Sequence, residues 1–289
     1  MKIHIYTFSG TGNTYLAADF IARRLGDLGA DAAQFKIEDE IKKGSAPDFT
    51  GVDYILIGYP IYAFNAPQIV IDFVKSFHKA VGFKIAVFKT AGEPFCLNRS
   101  SSAYMKRILE QKGYDFMAEM HMLMPYNILF RYEDALAKQM YIFMQTAARD
   151  FARTVVEGKR ELIKSTLPGR VVSAIMRHIM WRGSKLNGRL YSVSKKTCVM
   201  CMKCIRECPT GNITARDTKL RFDGNCAMCM RCVQICPKDA IKIGLVQPFK
   251  IRMCYDFESL AADEHVPSDF INHGTRGYFR MFRRFFGVK

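Results

Sequence analysis

The chain has 289 residues, of which 49% are hydrophobic and 24% charged, which is too long for one ordinary core and suits about two domains. Lys and Arg number 43 against 27 Asp and Glu, and the resulting net charge of +16 favours acidic partners and anionic ligands. No apolar run approaches the length of about 18 residues that crosses a bilayer, and the best, over 54–64, is interrupted by Gly58 and Pro60.

The N-terminus runs straight into a glycine loop with no charged and apolar leader pattern, so a cytoplasmic location is expected. Residues 2–8 read as a strand, then come Ser9-Gly10-Thr11-Gly12-Asn13-Thr14 and a helical pattern through Leu16, Phe20, Ile21 and Leu25 that stops near Gly29. Apolar strands at 52–58 and 83–90 flank a helix that starts near Pro67. A helix at 100–112, a strand at 115–124 and a long amphipathic helix at 133–158 follow. Strand and helix in alternation predict a doubly wound parallel α/β sheet with helices on both faces, here a first domain of residues 1–159. His4, in the first strand, reads as a packing residue.

Residues 160–195 shift toward Lys, Arg, Ser and Gly, and read as a helical connector with a short helix near 171–181. Then comes an internal repeat. Cys198, Cys201, Cys204, Cys208 and Pro209 recur as Cys226, Cys229, Cys232, Cys236 and Pro237, each displaced by the same 28 positions. Two copies of one unit predict a small pseudo-twofold domain, residues 196–246. Ten cysteines in a secreted chain would suggest disulfides, but eight of these sit at metal-ligand spacing. Cys96 and Cys254, outside the repeat, read as buried small hydrophobes.

A C-x₂-C-x₂-C loop wraps three corners of a [4Fe–4S] cube, and the fourth thiolate must come from further off. Structural zinc is the alternative, but it normally draws two cysteines from each of two loops rather than three from one. Over about fifty residues the pattern resembles bacterial two-cluster ferredoxins. That resemblance implies crossed ligands, with Cys198, Cys201, Cys204 and Cys236 on one cluster and Cys226, Cys229, Cys232 and Cys208 on the other.

The glycine loop between strand and helix offers backbone N–H groups and a helix N-terminus, a setting that suits a phosphate. It lacks the lysine of a Walker loop and the spacing of the dinucleotide fingerprint. Residues Ser9 to Thr14 resemble instead the FMN phosphate loop of flavodoxins. A flavodoxin-like five-stranded sheet of order 2-1-3-4-5 would place the ligand at the carboxyl ends of strands 1 and 3. The loops expected there carry Pro60, Tyr62, Phe64 and Asn65, and Ala91, Gly92 and Phe95. Tyr62 or Phe64 is the expected stacking residue and Asn65 the expected left-handed residue near flavin N5; the alternative is that these aromatics only pack the domain. A basic protein should also raise the flavin potential by favouring the anionic reduced form.

Taken whole, a flavodoxin-like half joined to a two-cluster ferredoxin half resembles the EFR1 family of bacterial proteins. The Pro125-Tyr126-Asn127 stretch and Pro248-Phe249-Lys250-Ile251-Arg252 match that pattern too. The resemblance implies FMN and two [4Fe–4S] clusters as cofactors, and electron transfer between them; the alternative is a reductase in which FMN reduces a small organic substrate beside Tyr62, Phe64 and Phe95. The expected partner is an acidic redox protein or an anionic small-molecule acceptor; nucleic acid is disfavoured.

Residues 247–289 form a C-terminal extension whose tail, 277–289, interleaves Arg280, Arg283 and Arg284 with Tyr278, Phe279, Phe282, Phe285 and Phe286. It reads as a helix docked on the protein's own core, as a peripheral membrane or partner helix, or, least of all, as a nucleic-acid contact.

Overall fold

The computed structural model describes every residue except 218, 252–254 and 289, so Cys254 and Arg252 lie outside the described residues. Five parallel strands, β1 (Lys2–Thr7), β2 (Asp31–Lys36), β3 (Tyr54–Pro60), β4 (Phe83–Ala91) and β5 (Tyr114–Leu123), pair in the order β2-β1-β3-β4-β5, the order expected. β3 reads YILIGYP and is buried at every position up to Tyr59, as a strand covered on both faces must be. Alternate residues feed two cores. Ile3, Ile5, Leu56 and Phe88 face one side, with α1 (Asn13–Asp27) and α5 (Asp134–Val156) over them. Tyr6, Phe8, Ile55, Ile57 and Val87 face the other, under α3 (Gln68–Ser76) and α4 (Ala103–Gln111). The short α2 (Ile37–Lys42) follows β2.

β2 has no counterpart in the sequence reading. Apart from Phe35, which stacks on Tyr6, its residues, DAAQFK, are polar or small, and none is fully buried. An edge strand covers little apolar area, so it leaves little hydrophobic signal.

The connector is a 23-residue helix, α6 (Leu167–Arg189), twice the length expected, with Thr166 as its N-cap accepting from the Gly169 N–H. β6 (Tyr191–Val193) then pairs antiparallel with β9 (Ile241–Ile243), and β7 (Ile213–Arg216) with β8 (Lys219–Phe222). Two single-turn helices, α7 (Lys203–Arg206) and α8 (Arg231–Gln234), are displaced by the 28 positions of the repeat. The backbones match as well: Met200 and Met202 have φ of 51° and 59°, Met228 and Met230 of 49° and 60°. Left-handed methionines cost conformational energy, and their recurrence at matching positions gives the two loops one backbone shape.

The C-terminal extension wraps back over α5. α9 (Phe257–Ala262) stacks Phe257 on Tyr141 at 5.2 Å, and Gln139 exchanges two hydrogen bonds with the Ile271 backbone. In α10 (Arg280–Phe285), Phe282 is fully buried among Leu123, Tyr132, Leu136, Met140 and Ile271. Phe279, Phe285 and Phe286 pack partly buried around it, while Tyr278 is 42% exposed. No helix among the described residues is long and apolar enough to cross a membrane.

Cys96 is exposed rather than buried. It opens a 3-10 turn, Cys96–Ser100, whose inward positions are Asn98 and Ser100.

Candidate functional site

A cleft of about 600 Å³ opens at the carboxyl ends of β1, β3 and β4. Twelve of the thirteen residues expected at a flavin line it: Ser9, Gly10, Thr11, Asn13, Thr14, Pro60, Tyr62, Phe64, Asn65, Ala91, Gly92 and Phe95. Gly12 does not. With φ of 109° it turns the chain into α1, a conformation open to glycine.

Within the loop, Ser9 Oγ accepts from the N–H groups of Gly12 and Thr14 at 3.1 and 3.2 Å, which fixes the turn. Thr14 Oγ1 is buried against Thr90 Oγ1 at 2.8 Å, and Asn13 Nδ2 donates to the Pro125 carbonyl at 2.8 Å. These side chains therefore shape the loop, and with the Gly12 and Thr14 N–H groups taken by Ser9 Oγ, what is left to attract an anion is chiefly the partial positive charge of the α1 N-terminus.

The loop after β3 is a two-residue turn. Tyr62 and Asn65 exchange backbone hydrogen bonds at 2.9 and 3.0 Å, with Ala63 and Phe64 at φ of 44° and 63°. The left-handed positions are thus Ala63 and Phe64, not Asn65, because a primed turn needs φ > 0 at both central residues. Asn65 acts as a clamp. Its amide donates to the Ala63 and Ser173 carbonyls and accepts from Ser173 Oγ, fastening the turn to α6. Tyr62 also departs from a simple stacking role, since its hydroxyl lies 2.6 Å from where a Cβ on Gly10 would be. Phe64 and Phe95 meet edge to face at 6.3 Å on the cleft wall.

Several lining residues had no place in the sequence reading. Arg177, Met180, Trp181 and Ser184 come from α6 and cross the cleft. Their i, i+3, i+4, i+7 spacing is the signal that a longer connector helix would have carried. Arg177 stacks over Tyr104 at 3.7 Å. Glu93 sits at the rim, where burial raises its pKa, and it accepts hydrogen bonds from Tyr126 and from the tail residue Tyr278. The Tyr126 ring packs where a side chain on Gly92 would stand.

The eight repeat cysteines fall into two sets, each around its own small cavity. One is lined by Cys198, Cys201, Cys204 and Cys236, the other by Cys208, Cys226, Cys229 and Cys232. Each set takes three cysteines from one loop and the fourth from the other, the crossed pattern expected. Backbone N–H groups point at matching sulfurs in both halves, from Asn212 to Cys208 and from Ala240 to Cys236, each at 3.2 Å. Among the described residues no three His, Cys, Asp or Glu side chains are grouped as a single metal ion would require. Each cavity has four thiols on its wall, the number of thiolates that a [4Fe–4S] cube takes.

The second cysteine loop closes the cleft: Cys226, Ala227 and Met228 are part of its wall. Arg231, next in that loop, reaches into the glycine loop. Its guanidinium donates to the Ser9 carbonyl at 2.6 Å, to the Gly10 carbonyl at 3.3 Å and to Glu38 Oε1 at 2.6 Å. Glu38 also accepts from Tyr15 Oη at 2.7 Å, and its side chain is only 2% exposed. A Cβ on Gly10 would lie 2.4 Å from the Cys229 carbonyl oxygen. Gly10 thus admits the cysteine loop while it also lines the cleft.

Residues 190–237 match the 4Fe-4S dicluster domain family. Among solved structures, Flavodoxin 2 from Bacillus cereus is 18% identical over 54% of this chain and 99% of that chain, with a TM-score of 0.41. A flavodoxin from Streptococcus pneumoniae TIGR4 is 19% identical over 53% of this chain and 99% of its own, with a TM-score of 0.39. Megasphaera elsdenii flavodoxin in its two-electron reduced form is 22% identical over 51% and 98%, with a TM-score of 0.34. No curated protein matches the chain. The strand order β2-β1-β3-β4-β5 is that of a flavodoxin-like sheet, and the dicluster match places a small ferredoxin-like [4Fe–4S] domain after it.

Proposed function

We propose that the chain is an electron-transfer protein of the EFR1 type, passing electrons between FMN in the cleft and two [4Fe–4S] clusters on the crossed cysteine sets. One observation carries this reading: Cys226, Ala227 and Met228 line the same cleft as the glycine loop. A flavin held there lies against the ligand loop of one cluster, and the second cluster shares the repeat domain. FMN would supply two-electron chemistry and the clusters one-electron steps. The residues of this chain would bind, orient and exclude water: the N-terminus of α1 would receive the phosphate, and Phe64, Phe95 and Tyr126, which line the cleft, would wall the ring. Helix α6 roofs the cleft with Met180 and Trp181, which supports transfer inside the protein over turnover of a large substrate.

Anaerobically purified protein tests the proposal. It should carry about one FMN with about eight iron and eight sulfide per chain, and chemically reduced flavin should reoxidise through the clusters. Stoichiometric zinc, or a flavin whose reduction never changes the cluster spectrum, would overturn it. Saturable reoxidation by small organic acceptors with a KM would favour the reductase instead.

A further inference from the structure

The repeat offers an internal comparison. Position by position, Val199, Met200, Cys201, Met202 and Lys203 correspond to Ala227, Met228, Cys229, Met230 and Arg231, with the same left-handed φ values at both pairs of methionines. The two loops have one shape and opposite surroundings. In the second, the flavodoxin-like domain covers the loop: Cys229 is 8% exposed, its carbonyl lies against Gly10, and Arg231 pairs with the acidic Glu38. In the first, Cys201 is exposed, Val199 is 57% exposed and Lys203 points to solvent. Around it stand Lys195, Lys196 and Arg206, all exposed, with no acidic residue between 195 and 206. Lys238 is exposed beside Cys236. Glu207 follows this run in sequence, and Asp239, which follows Lys238, pairs with Lys250 at 2.6 Å.

We propose that the loop from Val199 to Lys203 is a docking surface for a small acidic one-electron carrier protein, which covers it as the flavodoxin-like domain covers the loop from Ala227 to Arg231. A carboxylate of the carrier takes the place at Lys203 that Glu38 takes at Arg231, and the exposed Val199 supplies an apolar centre inside a basic rim. This rests on the proposed electron-transfer function and gives it an entry point at the cluster site farther from the flavin. For each electron delivered, the carrier's centre is oxidised by one and the cluster site of Cys198, Cys201, Cys204 and Cys236 is reduced by one. No bond in this chain forms or breaks. Basic surroundings steer an acidic carrier electrostatically, so the association should be strong at low salt and fade as the screening length shrinks.

The test uses the intact holoprotein with an acidic flavodoxin as probe and the basic carrier cytochrome c as control, binding being read by calorimetry at about 20 mM and about 500 mM salt. The flavodoxin should bind at low salt and cytochrome c should not. Lys203→Glu, and separately Lys195→Glu with Lys196→Glu, should weaken binding about tenfold or more, while Lys79→Glu on the flavodoxin-like domain should leave it unchanged. Iron, sulfide and visible absorbance are measured on every variant, so a failure to build the cluster, which bears on the proposed function, is distinguished from a failure to dock. Full cluster content with equal binding by wild type and both loop variants would overturn the proposal. Self-association of the protein alone that Lys203→Glu abolishes would assign the surface to a second copy and overturn it too.

Discussion

Replacing Arg231 by Met tests whether the two domains are locked through one buried ion pair. The side chains of Arg231 and Glu38 are 12% and 2% exposed, and their charged atoms are 2.6 Å apart. Burial works against the Arg231 charge, but Glu38, Tyr15 and Cys229 outweigh it, so the guanidinium stays charged. Removing one partner of a buried pair leaves the other charge enclosed without compensation, at a cost of about 3–5 kcal/mol. At roughly 2–4 °C per kcal/mol for a protein of about this size, the thermal midpoint should fall by about 10 °C. Methionine keeps the unbranched stem and removes the guanidinium, so the loss reports the pair together with its backbone contacts. The assay is far-UV circular dichroism under anaerobic conditions at one scan rate, on variants matched for iron content. Glu38→Gln combined with Arg231→Met removes both charges, and a coupling of about 1–3 kcal/mol should return in the cycle. Single effects under about 1 kcal/mol, or a double variant that adds within about 0.5 kcal/mol, would refute the reasoning.

Gly10→Ala should cost about 1–3 kcal/mol by overpacking against the Cys229 carbonyl, and weaken FMN retention, measured by flavin fluorescence, while the cluster of Cys198 keeps its signal. Cys236→Ser should damage the cluster of Cys198, Cys201 and Cys204 and spare that of Cys226, Cys229 and Cys232; electron paramagnetic resonance of the reduced protein separates the two, and the opposite loss would break the crossed pairing. Phe282→Ala should destabilise by about 3–5 kcal/mol, because the ring is fully buried, with no change in binding to anionic vesicles. At His121, whose Nε2 is enclosed without a partner, burial and then the Lys89 charge hold the pKa down to about 3. The unfolded chain takes up that proton near 6.5, so this contribution is intact above about 6.5 and is lost as pH falls toward about 3, up to about 2 kcal/mol by pH 5. His121→Phe, against Phe285, should show a smaller drop in midpoint between pH 7 and pH 5 than the wild type.

The parts that sequence made legible are those where chemistry fixes spacing. A cube needs thiolates at set intervals, so the cysteine repeat could be read by residue number, and the loops at the ends of β1, β3 and β4 followed from topology. What stayed hidden depends on contacts between distant segments. The Asn65 side chain looked like a backbone-tolerant residue because its partner, Ser173, lies 108 positions away. The tail reaches Glu93 from Tyr278 across 185 positions. β2 was missed for a different reason, since an edge strand can be polar and short without losing its ladder. Arg231 was legible only as the counterpart of Lys203, and nothing local marks it as the residue that meets Glu38.

That last pair shows how a duplicated unit acquires two faces. The repeat keeps its cysteines and the bent loop in both copies, because the cavity in each demands them. The residues outside the cavity are free to differ, and they do so at one place in particular: Arg231 is held in an interface with the glycine loop, its side chain 12% exposed, while Lys203 remains in solvent. Arginine suits the inner face, since its planar fork reaches two carbonyls and a carboxylate at once; lysine, a single mobile charge, suits a surface that must form and release contacts. The same loop geometry thus serves a permanent contact on one side and leaves an open one on the other. The proposed electron transfer would use that asymmetry, since one end would hold a flavin fixed while the other stays reachable.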